Sequence, residues 1–91
     1  MELTAKELND LEEMATALFS PKDCAIALQV DEAKFIDELT LPNSEIFKRY
    51  YKGYLSTKLK HNKSVFELAQ RGSSPAQAAI QKMIDDLRGK I

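Results

Sequence analysis

Pro42 and Pro75 bracket the longest stretch of this chain in which nothing stops a helix. Pro42 disfavours helical geometry at Leu41, so one helix ends before it. Asn43 or Ser44 can start the next, and Arg71-Gly72 supplies a natural stop. The spacing predicts a helix over about 44–71, roughly 42 Å long at ~1.5 Å per residue. A compact domain of this size has a diameter of about 30 Å, so such a helix either breaks or projects. Its apolar stripe of Phe47, Tyr51, Tyr54 and Leu55 resumes only at Val65, Phe66 and Ala69. Lys58, His61 and Asn62 occupy the same face in between, leaving the middle poorly supplied with core contacts. Gly53 is the expected bend point, at a cost of about 1 kcal/mol relative to Ala.

Helix starts recur on either side. Thr4-Ala5-Lys6-Glu7 is a capping box, and it opens a stripe of Leu8, Leu11, Ala15, Leu18 and Phe19 at three-to-four spacing. Ser20-Pro21-Lys22-Asp23 combines a Ser cap, Pro at the first helical position and an acid near the positive end of the helix dipole. Asp31 caps again, ahead of an apolar face of Phe35, Ile36 and Leu39. Ser74-Pro75-Ala76-Gln77 reads as a further capping box, with Ile80, Met83, Ile84 and Leu87 turned inward behind it. Five helices are expected, over about 4–19, 21–29, 32–40, 44–71 and 75–88. The fold class is all-α, in a single helical domain over 1–91. Within it, a helix-turn-helix region falls at about 20–41, followed by a long helix and a C-terminal hairpin at about 44–88.

Composition excludes several kinds of protein. With 91 residues there is room for one domain, and three Gly and three Pro are too few for a disordered or collagen-like chain. No apolar run approaches the roughly 18 residues of a membrane span. The start, MELTAKELND, is acidic and amphipathic, unlike a signal or transit peptide. One Cys and one His build neither a disulfide nor an ordinary structural zinc site. Cys24 is expected as a small buried apolar residue, His61 as a surface residue, and Asn62-Lys63-Ser64 as a sequon without consequence in a cytoplasmic chain. No phosphate loop, nucleophile elbow or spaced carboxylate pair is present, so no enzymatic activity, cofactor or metal is expected.

The net charge of −1 conceals a division. Residues 1–41 carry three lysines against ten acids, 3 − 10 = −7, and residues 42–91 carry ten Lys/Arg against four acids, 10 − 4 = +6. Two segments bear on what this division serves. The first, residues 19–39, has the pattern of a helix-turn-helix, with Ala25 at a close helix approach, Val30 under the turn, and Phe35 and Leu39 holding the second helix. Gln29 stands where such turns usually carry glycine. Its second helix holds Asp31, Glu32, Asp37 and Glu38 against Lys34 alone, and phosphates repel carboxylates. A bare helical hairpin is the alternative. The second segment, KRYYKGYLSTKLKHNK at 48–63, contains no acid. At about 100° per residue, Lys48, Arg49, Lys52, Lys60 and Lys63 fall within an arc of about 120°, a ridge suited to the phosphate backbone. Tyr50, Tyr51 and Tyr54 can stack or hydrogen-bond there, or serve as core residues with a wet hydroxyl. The ridge is otherwise a solvated face, or one paired with the acidic first helix.

The segments SPKDCAIALQVDEAKFIDEL and NSEIFKRYYKGYLSTKLKHNKSVFELAQRGSSPAQAAIQKMID together resemble the small terminase subunits of tailed phages and prophages. The resemblance lies in the helix-turn-helix and in the long helix begun after a Pro/Asn/Ser element. It extends to Tyr50-Tyr51-Lys52-Gly53, to Glu67-Leu68-Ala69-Gln70-Arg71-Gly72, and to Ser74-Pro75-Ala76-Gln77-Ala78-Ala79. It implies an oligomeric, ring-forming protein that recognises double-stranded DNA for packaging and passes it to a large, ATP-hydrolysing terminase subunit, in the cytoplasm of a bacterial host. The expected contacts are then Lys48, Arg49, Lys52, Lys60 and Lys63, with Lys34 contributing if the second helix of the motif enters the groove. A helical adaptor, whose acidic half docks the basic half of a neighbour, and a small helix-turn-helix regulator are the alternative readings.

Overall fold

A computed structural model describes all 91 residues and contains five helices and no strand. They are α1 (Ala5–Thr16), α2 (Pro21–Leu28), α3 (Glu32–Glu38), α4 (Glu45–Gln70) and α5 (Ser74–Arg88). The all-α expectation holds, and the ends of the elements fall within a few residues of those expected. Internal contacts divide the chain into two units, Met1–Thr57 and Lys58–Ile91.

In the first unit, side chains written for the purpose begin each helix. Thr4 Oγ1 accepts from the Glu7 amide while Glu7 Oε1 accepts from the Thr4 amide. Ser20 and Asp31 each accept from the amide three residues on, and Ser44 accepts from Ile46 and Phe47 at the start of α4. The ends of α1 and α2 follow one scheme. The Leu18 and Phe19 amides donate back to Ala15 and Met14, and the Gln29 and Val30 amides to Ile26 and Ala25. This double bond over a left-handed residue is the Schellman ending. The left-handed residues are Leu18 (φ 63°) and Gln29 (φ 56°), where glycine would be strain-free. Gln29→Gly should therefore raise stability by about 0.5–1 kcal/mol, the relief of strain outweighing the extra freedom of the unfolded chain. A thermal melt checks it, and a lower midpoint would refute it.

The core of this unit is Leu11, Cys24, Ala25, Phe35 and Ile46, with Leu8, Met14, Leu28, Val30, Leu39 and Tyr50 packed around it. Ala25, Val30, Phe35 and Leu39 thus all pack into or against this core. Ile36 does not: it is exposed, since the seven residues of α3 present one narrow apolar line, which Phe35 fills.

Gly53 is not a bend. α4 runs unbroken through it, and Gly53 is buried against α1. A Cβ there would run into the Glu12 carbonyl oxygen and come within 2.8 Å of the Ala15 Cβ. Two small residues, Gly53 and Ala15, let the backbones of α1 and α4 meet. Thr57 Oγ1 donates to the Thr16 carbonyl and Tyr50 Oη to the Phe19 carbonyl, fixing the register of that contact.

The second unit is the rest of α4 and α5, joined through Gly72 (φ 97°). The Gly72 and Ser73 amides donate to Ala69 and Leu68, the same ending as before. The cap of α5 is Ser73 and not Ser74: its Oγ accepts from the Ala76 amide. The expected capping box therefore does not form, and the Gln77 amide group donates to the Ala69 carbonyl. The ending of α4 already holds Ser73 in extended geometry, so one residue serves both helices. Ala76 is the buried contact of this hairpin, with Ile80 and Met83 half-buried. Ile84 and Leu87, expected inside, are exposed, as are Leu59, Phe66 and Leu68.

Candidate nucleic-acid interface

The basic residues of α4 divide according to the acids near them. In the first unit, Lys48 Nζ lies 3.9 Å from Glu45 one turn before it. Arg49 Nη1 donates to Asn9 Oδ1 at 2.8 Å and lies 3.6 Å from Glu12. Lys52 Nζ is 3.7 Å from the same Glu12 oxygen. That oxygen is buried and accepts no hydrogen bond, so Arg49 and Lys52 compensate it through charge alone. The Gly53–Ala15 approach is what brings the α1 carboxylate to these cations.

Arg49 is accordingly turned toward α1 and half-covered, whereas the side chains of Lys48 and Lys52 remain 56% and 70% exposed, open to a further anion. The Lys48–Glu45 pair, exposed on both sides, contributes little, ~0–1 kcal/mol, and yields to a competing phosphate. In the second unit Lys60 and Lys63 are exposed, and no carboxylate pairs with either. Lys34 is also exposed on α3, its amide engaged by the Asp31 cap.

The tyrosines separate in role. Tyr50 is an anchor, with its hydroxyl on the Phe19 carbonyl, and burial, more than the nearby Cys24 and tyrosine groups, raises its pKa. Tyr51 and Tyr54 are exposed and stacked edge-on at 6.4 Å, with Phe47 4.6 Å from Tyr51. Cys24 is fully buried, and that burial, with a smaller contribution from Asp23, pushes its thiol pKa up. His61 is exposed beside Asn62.

Asn9 and Glu12 escaped the sequence reading. Their spacing of three on α1 puts them on one face, but nothing in it says that this face meets Arg49, forty residues away. No helix is long and apolar enough to cross a membrane. No protein-family model, curated protein or solved structure matches the chain.

Proposed function

We propose that the chain is a non-enzymatic, double-stranded-DNA-binding protein of the small-terminase kind, acting as an oligomer that presents DNA to a packaging motor. The observation that carries the reading is the pair Lys60 and Lys63, exposed on α4 with no carboxylate partner. Lys48 and Lys52, exposed on the first unit, offer phosphates a sequence-independent attraction of their own. Each copy offers few contacts, so affinity comes from several copies engaging one duplex. The short connection between α2 and α3 is compatible with a helix-turn-helix motif. The acids of α3 argue that it orients the protein more than it reads bases.

The test is a salt titration of binding to a mixed-sequence duplex. log K should fall linearly with log salt at about 0.9 per phosphate contacted, equally for unrelated sequences. Absence of binding at low salt would leave the adaptor reading. That alternative is favoured by the charge balance of the two units, 6 − 11 = −5 for residues 1–57 and 7 − 3 = +4 for residues 58–91.

A further inference from the structure

We infer that the cleft between α1 and α2 receives the last turn of α5 from a second copy of the chain. The inference rests on the oligomer named above and gives it an interface; the phosphate contacts of α4 take no part in it.

The cleft has a volume of about 400 Å³, and Met14, Phe19, Ala27 and Leu28 line it together with Asp10 and Glu13. Apolar surface beside carboxylates calls for an apolar group flanked by cations. Asp10 already holds Lys6 at 2.8 Å, while Glu13 is exposed and makes no ion pair. Phe19, 44% exposed, is left without a cover.

α5 carries the matching chemistry. Ile84 and Leu87 form one stripe whose exposure climbs from 39% to 56% toward the end of the helix. The Lys90 and Ile91 amides still donate to the Leu87 carbonyl, so the turn continues to the last residue described. At about 100° per residue Arg88 and Lys90 lie on either side of that stripe, and Asp85 and Asp86 lie away from it. A cleft of this volume holds two or three side chains. It fits the tip of α5, the turn that carries Leu87 and Arg88, and not the long face of α4. Residues 1–57 carry −5 and the α5 segment 74–91 carries 3 − 2 = +1, opposite in sign, which favours the same pairing between copies. Cleft and tip are different surfaces, so every copy that joins leaves one of each free. The contact repeats until it closes on itself or continues as a filament.

The experiment is sedimentation of the full chain at low salt over a wide micromolar range, beside Leu87→Asp, Glu13→Lys, Arg88→Glu and the double variant Glu13→Lys/Arg88→Glu. All three positions are exposed, and circular dichroism verifies that each variant keeps its helices. The unmodified chain should sediment as a multiple of 10.3 kDa. Leu87→Asp should weaken association at least about tenfold. Each single charge reversal should weaken it too, and the double reversal should restore it, because the exchanged charges attract again. A chain of 10.3 kDa at every concentration overturns the inference. So does assembly indifferent to Leu87→Asp, or single losses that the double reversal does not repair. Duplex binding by the same variants separates the two readings: if the inference alone fails, binding and its dependence on Lys60 and Lys63 persist.

Discussion

Gly53→Ala should destabilise the protein by about 2 kcal/mol, even though alanine is the better helix former by about 1 kcal/mol. The added Cβ meets the Glu12 carbonyl oxygen and the Ala15 Cβ, and one of these is backbone, which cannot rotate aside. α1 and α4 must separate. Overpacking of this kind costs ~1–3 kcal/mol or more, which exceeds the gain in propensity. Separation also loosens the Thr57 and Tyr50 hydrogen bonds to the end of α1. For a chain of this length the melting midpoint should drop by roughly 10 °C, with helical content at low temperature unchanged. Gly53→Val should be worse, since it adds volume and loses propensity. A midpoint raised by Gly53→Ala would mean that the two helices do not meet at this residue.

The same position explains what the sequence could and could not disclose. A glycine inside a long polar-and-apolar helix has two physical uses, to bend it or to let another backbone approach. Only the partner decides between them, and Ala15, on α1, is remote in sequence. Helix starts were legible because Thr4, Ser20 and Asp31 act on amides three residues away. The cap of α5 falls at Ser73, one residue before the Ser74 that the sequence suggests, because the ending of α4 fixes the geometry of Ser73, a constraint from the preceding element. Ile84 and Leu87 lie on the apolar stripe that periodicity identifies. Periodicity ranks faces, though, and does not say how much of a stripe a single neighbouring helix can cover. The cationic ridge was legible as a list of lysines and an arginine. Its division into paired and unpaired groups was not, because Glu12 reaches Arg49 and Lys52 only once α1 and α4 are packed.

That division sets two variants moving in opposite directions. Reversing Lys60 and Lys63 together to Glu should remove two phosphate contacts per copy and flatten the salt slope by about 1.8 for each copy engaged. At 0.1 M salt two such contacts correspond to roughly a 60-fold loss of affinity, and the new carboxylates add repulsion to that. The loss should be the same for unrelated duplexes. Glu12→Gln should do the reverse. It takes away the one carboxylate shared by Arg49 and Lys52, leaving the exposed Lys52 to attract phosphate while Arg49 stays on Asn9. Affinity at low salt should rise several-fold and the slope should steepen, for about 1 kcal/mol of stability lost with the ion pairs. Lys34→Ala, on α3, should change binding for particular sequences only, by about 1–3 kcal/mol, and only if α3 enters the groove. If Glu12→Gln leaves the slope unchanged while the double reversal abolishes binding, the contact surface is Lys60 and Lys63 with their immediate surroundings. If the double reversal has no effect while Lys34→Ala does, DNA is held by the α2–α3 hairpin and the ridge is a solvated face.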